Sequence, residues 1–278
     1  MHDNILITKA TGEREAFVPQ KLRDSLLRAK AAPQMVDKII SHIELELKDG
    51  MTTREIYNHA FELLEQEYKP VAVRYSLRNA IMEMGPTGFP FEQLIAEIFR
   101  AKGFETTTDF IAQGKCVEHE IDVVAWNSEK LMMVEAKFHN EFGLKSDLKV
   151  ALYVNSRWDD LSQKEFTGFG PTRKLDEGWL ITNTKFSAQA IKYAKCKDMK
   201  LVGWNYPEDG SLQDLIEETG LHPITSLRCL TNREKKDLLE AGVIHLKQAV
   251  ANQDVLEQTG LSKEKIREVL EEINLIQK

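Results

Sequence analysis

Four ionisable side chains between residues 115 and 139 have the types and spacing of a metal-dependent active site. The stretch KCVEHEIDVVAWNSEKLMMVEAKFH predicts two strands joined by a short turn. Side chains alternate along a strand, so Glu120 and Asp122 share one face of the first strand, and Glu135 and Lys137 share a face of the second. Pairing of the strands would collect three carboxylates and one ammonium, and hard cations such as Mg²⁺ prefer carboxylate and water oxygens.

A lysine beside such a cation site has a chemical use. Lys137, two residues from Glu135, could orient or activate a water, or stabilise charge developing on a phosphate. The alternative is a solvated hairpin face on which charges alternate, and an isolated match of this kind is compatible with both interpretations. The secondary structure predicted around the motif is needed to distinguish the two interpretations.

The stretch resembles the core of the PD-(D/E)XK nucleases, with Asp122 as the first acid and Glu135-Ala136-Lys137 as the E-X-K half. Ile121 stands where the motif's name places a proline. The resemblance implies that Asp122 and Glu135 bind Mg²⁺ or Mn²⁺, with the carbonyl of Ala136 as a further ligand, and that Lys137 is catalytic.

A predicted helix precedes these strands. FEQLIAEIFRAKGF has an apolar stripe typical of an amphipathic helix and ends at Gly103. Glu92 lies at the edge of this stripe, where it could interact with the helix dipole or supply a metal ligand. The chain here resembles Mrr-like and Holliday-junction-resolvase-like nucleases, and this resemblance favours Glu92 as a catalytic metal ligand.

A basic, aromatic-containing helix is predicted from Lys145. Lys149, Tyr153 and Arg157 are spaced four apart and therefore share one face. This stripe is predicted to bind the phosphate backbone of DNA, although a solvated helix face has the same spacing. The strand-helix-strand pattern of GWLITNTKFSAQAIKYAKCKDMKLVGW again resembles the Mrr-type domain, which is predicted to span 86–220.

The N-terminal segment, 1–84, predicts strands at Asn4–Lys9 and 14–18 followed by four helices. It resembles the ATP-cone, a regulatory nucleotide-binding module, through ILITKATGEREAFVPQKLRDSLLRA, GMTTREIYNHAFELL and VAVRYSLRNAI. The resemblance implies that Lys9 and Lys21 contact the triphosphate and that Glu15 and Thr53 hold the nucleoside. Position 10 is alanine here, whereas many members of the family have a basic residue there. A helical dimerisation domain without a ligand is the alternative.

The C-terminal segment, 221–278, is predicted to be helical, with a capping box at Thr231–Glu234. TGLSKEKIREVLEEI resembles half of a helix-hairpin-helix unit, which holds DNA phosphates through backbone amides. A small helical bundle for self-association is the alternative.

Composition and charge limit the class of protein. The net charge is −7, which argues against a protein that coats nucleic acid by bulk electrostatics. The three cysteines are widely spaced and suggest neither a disulfide framework nor a zinc site. No apolar run reaches spanning length, and the N-terminus does not resemble a secretory signal. A cytoplasmic protein without a membrane partner is expected.

The sequence thus predicts a multidomain α/β protein: an N-terminal β-hairpin plus helices resembling the ATP-cone, a central restriction-endonuclease-like mixed sheet flanked by helices, and an all-helical C-terminal segment. The predicted function is a Mg²⁺- or Mn²⁺-dependent DNA endonuclease with ATP or dATP as allosteric ligand, acting as a homo-oligomer. The alternative is a non-catalytic nucleotide-sensing regulator that binds DNA. An ATP hydrolase is disfavoured because no G-x-x-x-x-G-K-[ST] motif occurs.

Overall fold

The structure, a computed structural model, describes residues 5–9 and 11–276. The chain divides into two compact units. One contains the described residues up to Leu77 together with those from Arg267 onward, and the other contains residues 78–266. Among the helices of the described residues, none is long and apolar enough to cross a membrane.

The N-terminal segment is a short hairpin followed by helices, as predicted. The antiparallel strands are β1 (Leu6–Thr8) and β2 (Arg14–Ala16). The helices are α1 (Pro19–Arg28), α2 (Pro33–Glu46), α3 (Thr53–Glu67) and α4 (Lys69–Met82). Pro19 and Pro33 occupy the first helical turn, where an N–H has no intrahelical partner. Asn4, the predicted start of the first strand, lies outside the described residues.

The start of α3 lies beside the hairpin because β1 also pairs with the segment that precedes this helix. The amide of Thr8 donates to the carbonyl of Met51 over 3.0 Å, and Thr8 forms a parallel bridge with Thr52. Thr52 and Glu55 form the predicted capping box of α3. Local capping and strand pairing together fix where this helix begins.

A mixed sheet forms the centre of the second unit. Its strands are β3 (Glu105–Gln113), β4 (Glu118–Trp126), β5 (Leu131–Lys137), β7 (Glu177–Thr182) and β9 (Lys200–Val202). They lie in the order β3-β4-β5-β7-β9; the first three are antiparallel, whereas β7 is parallel to both β5 and β9. A separate parallel ladder joins β6 (Lys145–Ser146) to β8 (Lys185–Phe186). The predicted mixed sheet is confirmed.

Helices cover both faces of this sheet. They are α5 (Phe89–Ala101), α6 (Leu148–Leu161), α7 (Ala188–Cys196) and α8 (Leu212–Thr219). The ring of Trp179 on β7 packs against Phe99 of α5, with centroids 5.6 Å apart. The next residue, Leu180, points to the opposite face and packs with Val154 of α6 and Ala190 of α7. Thus α5 lies on one face, and α6 and α7 lie on the other.

Two elements differ from the sequence prediction. The helix predicted from Lys145 begins at Leu148, because Lys145 belongs to β6 and the carboxylate of Asp147 caps the helix. The sequence pattern does not predict β3, because ETTTDFIAQ lacks a clear alternation of apolar and polar residues. The Asp147 cap is a local signal, whereas β3 forms because its pairing with β4 outweighs a weak local preference.

The C-terminal segment is helical, as predicted. A 3-10 turn (Ile224–Ser226) is followed by α9 (Asn232–Glu240), α10 (Leu246–Ala251), α11 (Gln253–Gln258) and α12 (Lys263–Ile276). Thr231 and Glu234 form the predicted capping box. Gly260 turns the chain before α12 with a φ of +85°, where a side chain would be strained. The helix-hairpin-helix role and the predicted domain boundaries stay predictions.

Candidate active site

The β4–β5 ladder ends where the predicted motif begins. Val123 and Val134 are its last paired residues towards the motif. Beyond them, the amide of Ala136 donates to Oδ2 of Asp122 over 2.7 Å instead of continuing the backbone ladder. The N–H and C=O of one strand residue point to the same side, so the carbonyl of Ala136 faces the same opening. The strands therefore separate at the candidate site.

Glu135 lies next to this opening and pairs with an arginine of α6. The guanidinium of Arg157 donates to the Glu135 carboxylate and to the backbone carbonyl of Glu120. Arg157 is only 6% exposed, so this pair is shielded from water. Burial, together with the negative charge of Asp122, nevertheless raises the pKa of Glu135 to about 7. The positive charge of Arg157 does not fully offset the effects of burial and of Asp122 on the pKa of Glu135.

Glu92 reaches the site from the first turn of α5. A Cβ at Gly88, just before the helix, would lie 2.9 Å from Glu92 Oε1, so the glycine leaves room for this carboxylate. Burial raises the pKa of Glu92 to about 7, and the charges of Asp122, Asp109 and Glu135 contribute to the rise. The apolar face of α5 is buried as predicted, through Phe91, Leu94, Ile95, Ile98 and Phe99.

A further carboxylate, Asp109, belongs to this cluster and has no counterpart in the sequence prediction. Since Thr108 pairs with Val123 and Phe110 pairs with Ile121, Asp109 lies opposite Asp122 in the register. Its φ of 54° is in the left-handed region, which aspartate adopts more readily than most residues. The charge of Asp109 helps to raise the pKa of Glu92 and of Asp122, for which burial is the largest cause. A left-handed residue inside a strand leaves no signal in the sequence.

Lys137 ends β5 with an exposed side chain. Within residues 5–9 and 11–276, its ammonium takes part in no hydrogen bond or ion pair. Its positive charge opposes the rise in the pKa of Glu135. The charges of Asp122 and Glu135 raise the pKa of Glu92, and those of Asp122 and Lys137 act on the pKa of Glu135, so the predicted residues lie in one neighbourhood. Their catalytic roles stay predictions.

The oxygen donors suit a hard cation. In the described part of the chain, Asp122 Oδ1 and Glu135 Oε1 have no hydrogen-bond or ion-pair partner. In the residues that the structure describes, no set of three oxygens, one each from Glu92, Asp122 and Glu135, lies within 4.8 Å of one another. Mg²⁺ needs only one or two protein carboxylates, because water and substrate phosphate complete its coordination. Two of these carboxylates and the Ala136 carbonyl are the kinds of ligand that Mg²⁺ accepts, and metal binding by them stays a prediction.

One of the three residues in the predicted phosphate-binding stripe on α6 is buried, so the stripe is not exposed along its whole length. Lys149 is exposed and Tyr153 is 60% exposed. Arg157 is buried and paired with Glu135, and its guanidinium lies 5.5 Å from the centroid of the Tyr153 ring. The four-residue spacing correctly aligns the side chains, but it does not reveal that the last one turns towards the sheet. DNA contact by Lys149 and Tyr153 stays a prediction.

A second residue of α6 fixes the start of β4. The carboxylate of Asp160 accepts hydrogen bonds from the amides of Cys116, over 2.8 Å, and Val117, over 3.3 Å, and lies 2.9 Å from His119 Nε2. These contacts, His119 first, lower the pKa of Asp160 to about 2. Together with Arg157, Asp160 makes α6 a support for the carboxylate cluster.

In the N-terminal unit, two predicted lysines meet at one carboxylate. The ammonium groups of Lys9 and Lys21 each lie 2.9 Å from a different oxygen of Glu15. These hydrogen bonds, Lys9 first, lower the pKa of Glu15. Thr53 is the first residue of α3, next to the backbone bridge with β1, and Ala10 lies outside the described residues. A triphosphate could take over the ammonium groups that Glu15 now holds.

Comparisons with known proteins agree with this arrangement of domains. The ATP cone domain model matches residues 5–81, and the restriction endonuclease model Mrr_cat matches residues 83–205. A third model, AF1548-like, C-terminal, matches residues 222–277. The chain is therefore an ATP cone domain followed by a restriction-endonuclease-like domain and an AF1548-like C-terminal domain, as the resemblances imply.

The family follows from two similar proteins. An uncharacterized protein of Archaeoglobus fulgidus is 41% identical over 179 residues, which cover 64% of this chain and 97% of that protein. The crystal structure of the protein of unknown function AF1548 is 38% identical, with a TM-score of 0.56, and the match covers 68% of this chain and 97% of that one. The chain belongs to the family of these proteins.

A second solved structure is similar over part of its length. MspJI restriction endonuclease, solved in complex with a 27-mer oligonucleotide, is 14% identical with a TM-score of 0.32. That match covers 68% of this chain and 44% of the MspJI chain.

Proposed function

We propose that this protein is a Mg²⁺- or Mn²⁺-dependent DNA endonuclease whose activity responds to ATP or dATP. The observation that carries the proposal is the opening at the end of the β4–β5 ladder. There the Asp122 carboxylate accepts a hydrogen bond from the Ala136 amide, the carbonyl of Ala136 faces the same opening, and Glu135 and Lys137 flank Ala136 on β5. A protein that only binds DNA has no use for acids crowded where phosphates would lie, because they repel the phosphates.

The protein's own groups have separate tasks in this proposal. Two of the carboxylates of Glu92, Asp122 and Glu135, together with the carbonyl of Ala136, would hold the divalent cation. When bound, such a cation lowers the pKa of a coordinated water and offsets negative charge on the phosphate. The ammonium of Lys137 orients the attacking water or the scissile phosphate, and its flexible stem allows it to reach either.

Arg157 holds Glu135 in position through the buried ion pair and ties it to the backbone of Glu120. Such support keeps a ligand within the narrow range of positions that phosphate chemistry requires. Because Arg157 is buried beneath the cluster, we assign it a positioning role rather than contact with DNA.

The cone supplies the response to nucleotide. Lys9 and Lys21 would bind the triphosphate of ATP or dATP, and Glu15 and Thr53 would contact the nucleoside. Release of the two ammonium groups from Glu15 is the local change that binding would cause. Regulation requires the nucleotide to favour one state of the protein over another.

Cleavage assays test the enzyme. Purified full-length protein is incubated with plasmid, single-stranded and branched DNA in Mg²⁺ or Mn²⁺. The key variant is Asp122→Asn, which removes the charge but keeps an oxygen that can accept from the Ala136 amide. We expect its cleavage rate to fall by roughly 10²-fold or more. Glu118→Gln, an exposed acid at the start of β4, is the matched control and should cleave normally.

The outcomes separate the two candidate functions. Cleavage by the wild type and by Glu118→Gln, but not by Asp122→Asn or Lys137→Met, supports the endonuclease. DNA binding without cleavage on every substrate and with both metals would instead indicate a nucleotide-sensing regulator. Repeating the assay with ATP and dATP, for wild type and Lys21→Met, tests whether the cone carries the regulation.

A further inference from the structure

Three side chains on α2 and α3 lie together and have no role in the proposed function. His42 and Glu46 are four residues apart on α2 and share one face, and His59 faces them from α3. The Glu46 carboxylate lies between the two imidazoles, with Oε1 3.4 Å from His42 Nε2 and Oε2 3.5 Å from His59 Nδ1. The imidazole centroids are 5.0 Å apart.

Both distances are longer than an ordinary hydrogen bond and close to the spacing of two ligands on one metal ion, and each involves a different oxygen of Glu46. An N–H···O hydrogen bond in a protein usually spans about 2.7–3.2 Å, which is shorter than both gaps. Ligand atoms at about 2.0–2.1 Å from a tetrahedral Zn²⁺ are roughly 3.3–3.4 Å apart. One ligand atom from each of His42, Glu46 and His59 lies within 4.8 Å of the other two. A small rotation of these side chains would bring all three to a common ion.

The backbone beneath the three side chains is firmly held. Ile43, next to His42, and Ala60, next to His59, are both buried in the hydrophobic core of this unit. The ligating ends face outward, since His42 and Glu46 are about half exposed and His59 is partly exposed. An ion and its waters therefore have access, while the two helices keep the ligands near one another.

We propose that His42, Glu46 and His59 bind a divalent transition-metal ion, with Zn²⁺ as the best match and water in the remaining position. Two imidazoles and one carboxylate are a donor set that Zn²⁺ accepts, whereas Mg²⁺ prefers oxygen ligands alone. The ion joins α2 to α3, so it stabilises the fold of the N-terminal unit. The site is separate from the carboxylate cluster, and the inference does not depend on nuclease activity.

Metal titration of the full-length protein, freed of metal with a chelator, tests the site. We expect wild type to bind one more Zn²⁺ than His42→Ala or His59→Ala. Loss of either imidazole should weaken this Zn²⁺ by more than the roughly 10–100-fold that loss of a supporting hydrogen-bond partner causes. Co²⁺ should give the visible absorption bands of a four-coordinate ion in wild type, and these bands should be absent in both variants.

Matched carboxylate variants complete the test. Glu46→Gln should lose the high-affinity ion, whereas Glu44→Gln should retain it, because residues two apart on a helix do not face each other. Zn²⁺ should raise the Tm of wild type and Glu44→Gln but not of His42→Ala. Circular dichroism of each metal-free variant verifies that it is folded. Equal Zn²⁺ stoichiometry and affinity in wild type, His42→Ala and His59→Ala would overturn the proposal.

Discussion

The buried pair of Arg157 and Glu135 gives the sharpest test of how this site is held together. Replacing Arg157 with Met keeps much of the side-chain volume but leaves Glu135 without its cation and the Glu120 carbonyl without its donor. Both side chains are largely buried, at 7% and 14% exposed, so water cannot easily replace the lost contacts. Removing one partner of such a pair costs about 3–5 kcal/mol.

Urea unfolding of the metal-free full-length protein measures this loss. Because the chain has two compact units, the transition has to be followed by a probe within the second unit, such as fluorescence of its tryptophans. Lys149→Met on the same helix is the control, since Lys149 is exposed and its replacement should change stability by less than about 0.5 kcal/mol.

The double variant Arg157→Met/Glu135→Gln sharpens the interpretation. The neutral amide that Glu135→Gln introduces no longer needs a cation, so the double variant should be more stable than Arg157→Met alone. If Arg157→Met loses less than about 1 kcal/mol, as a typical exposed ion pair would, the pair is not structurally important and the reasoning is refuted.

The remaining predictions concern charge, space and nucleotide. The folded-state pKa of Glu92 is raised from 4.5 to about 7, so its contribution to stability is fully present below pH 4.5 and is lost as the pH rises through 7. Glu92→Gln should therefore flatten the fall in unfolding free energy between about pH 5 and pH 8 in metal-free protein. Gly88→Ala should lower cleavage and Mg²⁺ affinity with little change in Tm, because its φ of −74° suits alanine but its Cβ meets Glu92; unchanged kinetics would contradict this account. Lys21→Met should weaken ATP binding at least about tenfold in calorimetry, since a charge-assisted hydrogen bond contributes about 1.5–3 kcal/mol. Lys38→Met, an exposed lysine on α2, should bind ATP normally.

Sequence patterns account for much of the fold and for the main acids of the site. The apolar spacing of α5 correctly predicts its buried face and leaves Glu92 at the edge. The spacing of Asp122 and Glu135 correctly predicts that they lie on neighbouring strands, where the β4–β5 ladder ends. The capping box at Thr52–Glu55 marks the start of α3 to the residue. These features are local, so a short stretch of sequence contains all the information they need.

What the sequence does not reveal depends on distant contacts. The helical spacing predicts which face of α6 Arg157 lies on, but only the folded structure shows that its guanidinium pairs with the buried carboxylate of Glu135. His59 joins His42 and Glu46 only because α3 folds back on α2. In each case the partners are far apart in sequence and no spacing connects them.

The backbone at Asp109 places opposing demands on a single residue. A left-handed conformation costs an aspartate on the order of 1 kcal/mol, and a glycine would adopt it freely. Glycine, however, would remove a negative charge from beside Asp122 and Glu92. A less strained backbone and a more strongly charged cluster therefore require different amino acids at position 109, and the aspartate combines a strained backbone with an additional carboxylate beside Asp122 and Glu92.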